Sequence, residues 1–282
     1  MGLIKRLQHG IVYAPLTALK EALVALGVLL ALCQGFAFFV PGINESATGW
    51  VPLVVCICAS AIYGRWKTWK IGKIVFNVPH TNTKIEIAFG DLFNQDGLRV
   101  IPVNEFFDSE IGKPVSDRTL HGILIEKHLE GQTFEDVIGN QLDGIEPRDV
   151  VEKIEGKTKS YPIGTTITIN TDGKYLAFAL SKTQPDTCKA YCDVADMWTA
   201  LGGLWKKGRV ESGGSPINVP LVGSGQSGVG LPARDLLNLI LLSAITETKK
   251  NQITGKIRVI LRDEVFEELD LRKIRQHWTK QL

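Results

Sequence analysis

The residues best suited to chemistry in this chain form one loop, Gly223-Ser-Gly-Gln-Ser-Gly-Val-Gly230. Glycines at alternate and triplet spacing let a backbone turn sharply and come close to a ligand. Such a loop leaves main-chain N–H groups free. With the start of a following helix they make an anion site suited to a phosphate or diphosphate. The loop follows an apolar run, Ile217 to Gly223, and precedes a helical pattern, Ala233 to Ile245, entered through Pro232. The bland alternative is a flexible surface loop. Four glycines held between two apolar elements favour the anion site.

Gly223, Gly225 and Gly228 also match G-x-G-x-x-G, a weak signal for a dinucleotide site when it stands alone. That fingerprint opens its domain, whereas only 54 residues follow Gly228 here. The acid about 20 residues on, Glu247, follows a helix end and not a second strand. No Gly-Lys-Ser/Thr of a P-loop is present. Cys188 and Cys192 stand i, i+4 on an expected helix over 188–207, bent at Gly202-Gly203. With no C-x-x-C pair or nearby His, they read as reduced core thiols and no metal site is expected.

The elements that must position this loop alternate between strand and helix. KIVFNV (73–78), KIEIAF (84–89), LRVIPVN (98–104), TTITIN (165–170), KYLAFALS (174–181), INVPLVG (217–223) and KIRVIL (256–261) read as strands. TLHGILIEKHL (119–129), TFEDVIGNQL (133–142), the 188–207 segment, ARDLLNLILLSAI (233–245) and LDLRKIRQHW (269–278) read as helices. The alternation predicts an α/β sandwich with a mixed or parallel sheet.

Upstream lie two charge-free stretches of 19 residues each, Ala22–Val40 and Ser46–Gly64. As helices each would reach about 28 Å, close to the ~30 Å hydrocarbon thickness of a bilayer. Pro41 to Glu45 forms the expected turn. Lys5, Arg6 and Lys20 precede the first stretch; Arg65, Lys67, Lys70 and Lys73 follow the second. Positive flanks and interfacial Trp50, Tyr63, Trp66 and Trp69 predict a transmembrane hairpin with spans at about 20–40 and 47–64 and both termini cytoplasmic. A cleaved signal peptide and a buried helix pair are weighed and fit less well, for lack of an A-x-A site and because of the charge asymmetry. Gly27, Ala31 and Gly35 share one helix face, a small-xxx-small pattern for helix association that Gln34 could supplement.

The predicted domains are therefore 1–75, the hairpin, and 76–282, a soluble domain. The soluble part carries 25 of the 32 Lys+Arg and 28 of the 30 Asp+Glu, a net charge of −3. That excludes a nucleic-acid footprint.

Ile85-Glu-Ile-Ala-Phe-Gly-Asp-Leu-Phe93, followed by Val100-Ile-Pro-Val-Asn104, resembles the opening of a macrodomain. There a strand ends in Gly-Asp-Ile/Leu and the next in Val-Asn. The late glycine loop resembles that fold's diphosphate loop, and Tyr161-Pro-Ile-Gly-Thr165 resembles the segment opening a middle strand. The resemblance covers roughly 82–282 and implies a three-layer α/β/α sandwich that binds ADP-ribose or a relative. It implies that Asp91 accepts from the adenine amino group and Leu92 donates through its backbone. It further implies that Gly223, Ser224, Gly225, Gln226, Ser227, Gly228, Val229 and Gly230 cradle the diphosphate, and that Asn104 lies near the distal ribose. For Asp91 the alternative is a helix N-cap, and for Asn104 a turn residue.

Hydrolytic macrodomains usually read Val-Asn-Ala-Ala-Asn where this chain reads Val103-Asn-Glu-Phe-Phe-Asp108. Phe107 replaces the second Asn, and Asp108 joins the expected ligand-binding set. A two-span hairpin before such a domain resembles the membrane effector of type II Thoeris anti-phage systems. The resemblance implies a bacterial plasma-membrane homo-oligomer. Its macrodomain binds an ADP-ribose-containing messenger, reported as a histidine conjugate, that a TIR-domain partner makes from NAD. The membrane segment then harms the infected cell. The alternatives are a membrane-anchored hydrolase of ADP-ribosyl or ADP-ribose derivatives and a tethered nucleotide-binding scaffold without effector action.

Overall fold

The computed structural model describes residues 15–39, 49–69, 71–225 and 228–281. The expected turn at Pro41–Glu45, the N-terminal Lys5 and Arg6, Ser46, Lys70 and the loop residues Gln226 and Ser227 lie outside them. The chain divides into two compact units, Met1–Gly72 with Asp270–Arg272, and Lys73–Leu269 with Lys273–Leu282.

Helices α1 (Pro15–Phe39) and α2 (Trp50–Thr68) make up the described part of the first unit before residue 69. Pro15 opens α1, where its missing N–H costs nothing. The helices pack tightly at Gly64, where an added Cβ would stand 2.5 Å from the Ala18 carbonyl oxygen and 2.9 Å from the Ala22 Cβ. Cys56, Ser60 and Gly64, one turn apart, form the buried face of α2. Among the described residues only α1 is long and apolar enough to cross a membrane, judged by length and composition. Helix α2 begins at Trp50 and ends in the polar run Arg65–Thr68. Its apolar part, Trp50–Gly64, spans about 22 Å at ~1.5 Å per residue.

In chain order the second unit runs β1 (Lys73–Asn77), β2 (Lys84–Phe89), β3 (Leu98–Asn104), α3 (Leu120–Lys127), α4 (Phe134–Ile138), β4 (Arg148–Asp149), β5 (Lys159–Ser160), β6 (Thr166–Asn170), β7 (Lys174–Thr183), β8 (Ala190–Tyr191), α5 (Val194–Glu211), β9 (Ile217–Pro220), α6 (Ala233–Lys250), β10 (Lys256–Leu261) and α7 (Leu271–Gln281). The main sheet has the order β1-β2-β10-β9-β3-β7-β6, with β8 on the end of β7. Strands β2, β10, β9, β3 and β7 are parallel, and β1 and β6 run antiparallel at the two edges. Parallel order places the C-terminal ends of β2, β9 and β3 at one edge of the sheet, where open α/β sheets bind ligands.

Strand β7 shows why the sheet is covered twice. Tyr175, Ala177 and Ala179 point to the face shared with Ile101, Val103, Ile167, Leu124 and Phe134. The alternate residues Leu176, Phe178 and Leu180 are equally buried on the other face. There α5 presents Met197, Ala200, Leu201, Leu204 and Trp205 at helical spacing. The Trp205 indole donates to Ser243 Oγ of α6 at 3.0 Å, which satisfies the polar edge of a fully buried ring. The result is a macrodomain-like α/β sandwich.

Four expectations need correction. Helix α5 begins at Val194, not Cys188. Cys188 has φ +53° and Ala190–Tyr191 pairs with β7, so Cys188 and Cys192 share no helix face. The Asp193 side chain caps α5 by accepting from the Asp196 N–H at 2.7 Å, and the helix is continuous through Gly202-Gly203. The Tyr161–Thr165 segment leads into β6, which lies in the middle of the chain but at the edge of the sheet. Strand β9 stops at Pro220, which lacks the N–H to continue the ladder.

Candidate functional site

Three segments meet at the C-terminal edge of the parallel strands: the turn after β2, the turn after β3 and the glycine loop after β9. After β2, Gly90 donates to the Leu261 carbonyl of β10 at 3.0 Å. No helix follows Asp91. Gly90–Gly97 return to the start of β3 across β10 and β9, so Asp91 is not a helix N-cap. Its carboxylate instead closes a local turn, accepting from the Phe93 N–H at 3.0 Å and from Asn94 Nδ2 at 3.0 Å. Asp91 is exposed, and each of its oxygens keeps a lone pair for a further donor. Leu92 packs into the core beside Ile260. Asn218 Nδ2 holds the returning strand by donating to the Asp96 and Leu98 carbonyls at 2.7 and 3.0 Å. Arg258 pairs with Asp96 and holds its carboxyl below the usual range.

The glycine loop divides in two. Gly223 has φ +83°, and an added Cβ would meet Val229 Cγ2 at 2.8 Å and Leu236 Cδ2 at 3.0 Å. It is a turn and packing glycine. Gly225 and Gly228 are exposed, with no atom closer than 3.7 Å to either added Cβ. These two offer the open backbone a ligand could approach. The loop closes through Val229 N–H to the Gly223 carbonyl at 3.1 Å and Gly228 N–H to the Gly225 carbonyl at 3.0 Å. Ser224 Oγ turns inward, donating to the Leu221 carbonyl at 2.8 Å. Gly230 is exposed, and Pro232 stands at the N-cap position of α6.

After β3 the register against β7 slips between Val103 and Asn104. The Asn104 side chain donates to Asp108 Oδ2 at 2.8 Å, and its Oδ1 accepts from the Asp108 N–H at 3.2 Å. Phe107 between them is fully buried at φ +50°, a strained setting for an aromatic residue. Asp108 itself is fully buried. Lys153 Nζ donates to its two oxygens at 2.9 and 2.8 Å, and the Lys157 N–H to Oδ1 at 2.7 Å. Asp108 therefore faces inward, apart from the open edge that Asp91 and the glycine loop share. Lys153 and Lys157 went unnoticed in the sequence, although a charge placed directly after a buried strand requires a partner.

Glu105, half-buried beside Asn104, accepts from the Thr183 N–H at 3.3 Å, and burial raises its carboxyl above the usual range. A shallow depression of about 480 Å³ is lined by His80, Asn82, Thr248, Lys250 and neighbours. It lies at the opposite end of the sheet, where β2 and β10 begin. The glycine loop, not this depression, follows a strand's C-terminal end, and its backbone is open at Gly225 and Gly228.

Residues 85–262 match the family model described as Thoeris protein ThsA, Macro domain. Among solved structures, the Oceanobacillus iheyensis macrodomain with ADP is 16% identical, with a TM-score of 0.50 over 74% of this chain and 97% of that one. A point variant of the same macrodomain with ADPR is 15% identical, with a TM-score of 0.50 over 73% of this chain and 99% of that one. At that identity the likeness shows the fold. No curated protein matches the chain. The family match covers more than half of the sequence, and the chain belongs to the Thoeris ThsA macrodomain family.

Proposed function

We propose that this chain is a membrane-embedded effector of anti-phage defence whose macrodomain is a receptor for an ADP-ribose derivative. A TIR-domain partner makes the ligand from NAD. Binding reorganises a homo-oligomer of the membrane helices and permeabilises the bilayer. The observation that carries this reading is the family match, joined to a glycine loop that opens Gly225 and Gly228 at the same sheet edge as Asp91. Asp91 takes the adenine, the loop N–H groups the diphosphate, and Asn104 the distal ribose. No hydrolysis is included. Of the carboxylates Glu105 and Asp108 after β3, Asp108 is taken up by Lys153 and Glu105 accepts from the Thr183 N–H.

Two features support the membrane part. The α1–α2 pair packs through small residues, as helices do in lipid. On α1, Gly27 and Ala31 are exposed, and nothing lies within 4 Å of an added Cβ at Gly27 or Gly35. Among the described residues nothing covers that face at Gly27 and Gly35, which leaves it available to a second copy.

The test uses the full chain. Calorimetric titration with ADP-ribose, NAD and amino-acid conjugates of ADP-ribose should give saturable binding with the ligand recovered unchanged. Liposomes carrying the protein should leak a trapped dye once ligand saturates. Ligand turnover would establish the hydrolase instead, and binding without leakage the scaffold.

A further inference from the structure

We propose that Lys153 is a positioning residue for the distal, sugar-binding end of the site, acting through Asp108 on Asn104; this rests on the ligand reading above. The turn joining β4 to β5 reaches under the segment that leaves β3. Lys153 Nζ, with no exposed side-chain surface, lies 4.2 Å from the centre of the Phe106 ring and binds both Asp108 oxygens. It also donates to the Lys157 carbonyl at 2.8 Å. Lys157 Nζ donates to the Phe107 carbonyl at 2.7 Å and pairs with Glu135 at 3.1 Å. Gly156, at φ +80°, completes the fit: an added Cβ would stand 2.4 Å from Asp108 Oδ1 and 2.9 Å from Lys153 Nζ.

This clamp does more than bury a charge. Asp108 meets both polar atoms of the Asn104 side chain, so it fixes which way the amide is turned. One N–H of Nδ2 and one lone pair of Oδ1 stay free. A donor and an acceptor held side by side suit a vicinal diol, which offers the complementary pair. Without the Asp108 carboxylate the amide can rotate or flip, and Phe107 can leave its strained backbone. Lys153 stabilises that carboxylate where no water reaches it, and it touches no ligand itself.

The test compares ADP-ribose with ADP, which shares every part of the ligand except the distal ribose. The protein is the full chain in detergent, titrated calorimetrically. Lys153→Met alone would strand a buried carboxylate, so the informative variant is Lys153→Met with Asp108→Leu, which removes both charges together. The expected result is ADP affinity within about twofold of the parent and ADP-ribose affinity roughly tenfold weaker, the loss of about one well-placed hydrogen bond. An equal loss for both ligands would make the clamp a purely structural element, and no loss for either would remove its role; each overturns the proposal. Should the double variant not fold, Lys157→Met decides. It keeps Asp108 paired with Lys153 and removes the Nζ contacts to the Phe107 carbonyl, Glu135 and the Phe134 ring; a smaller loss confined to ADP-ribose is expected, and unchanged ADP-ribose affinity overturns the proposal. A parent that binds ADP but does not prefer ADP-ribose refutes the positioning role alone. A parent that binds neither refutes the ligand reading, and the proposal with it.

Discussion

His121 makes the domain that holds the site sensitive to acid, by an amount that can be worked out. It lies in the first turn of α3, buried, with its ring 4.9 Å from that of Phe134 and its Nε2 without a hydrogen-bond partner among the described residues. Burial, with the Lys157 charge adding to it, pushes its pKa from 6.5 down to about 3. Such a group is neutral when folded and takes a proton when unfolded. Its contribution is therefore constant above pH 6.5 and is lost as the pH falls from there towards 3. With about 1.4 kcal/mol for each tenfold change in proton affinity, the loss at pH 5 is about 2 kcal/mol. For a domain of about 200 residues that lowers the melting midpoint by about 4–8 °C. His121→Leu removes the titrating group and the unpartnered nitrogen together. Thermal melts of parent and variant by circular dichroism, at pH 7.5 and pH 5, isolate the effect, because all other titrating groups are common to both. The variant should match or exceed the parent at pH 7.5 and lose about 4–8 °C less on acidification. If the two midpoints fall in parallel, His121 is protonated or solvated in the folded protein and the reasoning fails.

Gly225→Val fills open space at a residue outside the left-handed region, so it should leave the melting midpoint unchanged and abolish binding of ADP-ribose-type ligands by calorimetry. Asp91→Ala should weaken the same ligands by roughly 1–3 kcal/mol, about 5- to 150-fold; parent-like binding by both folded variants would mean that the pocket lies elsewhere. Ala31→Leu, on the uncovered face of α1, should abolish toxicity in cells and dye release from liposomes while ligand affinity holds, and full toxicity would sink the oligomer mechanism. In a background without native cysteines, a cysteine at Asn44 should react with an impermeant label from outside the cell and one at Gln276 should not; labelling of both from one side rules out the hairpin.

Long elements with a clear period were legible in the sequence. The runs at 84–89, 98–104 and 256–261 became β2, β3 and β10 because strands buried in a parallel sheet are rich in Ile, Val and Leu, and the polar residues among them, such as Glu86, Arg99 and Arg258, are too few to hide the run. Short elements were not. Strands β4, β5 and β8 have two residues each, too few to show alternation, and the last of them was absorbed into an overlong helix. That error had a visible remedy. Asp193 followed three positions later by Asp196 is an N-cap signal, and it marks the true start of α5. The second membrane stretch shows the opposite failure. Counting uncharged residues ignores where a helix begins, and α2 starts at Trp50, four residues into the stretch.

The site was legible in its backbone and not in its side chains. Glycine spacing pointed to the loop because each glycine signals a conformational or steric demand. Spacing cannot say which demand, and the structure separates Gly223, which serves the turn, from Gly225 and Gly228, which stand open. Asp108 shows the deeper limit. Its place beside Phe107, where the chain departs from the Val-Asn-Ala-Ala-Asn of hydrolytic macrodomains, put it among the expected ligand contacts. Its actual partner lies 45 residues on, in a turn between two-residue strands. No local pattern links such a pair. What the sequence does contain is the energetic demand itself: a carboxylate between buried Phe107 and the core cannot stay charged alone. Among the described residues Lys153 answers it with its ammonium group and Lys157, four residues on past Gly156, with its backbone N–H.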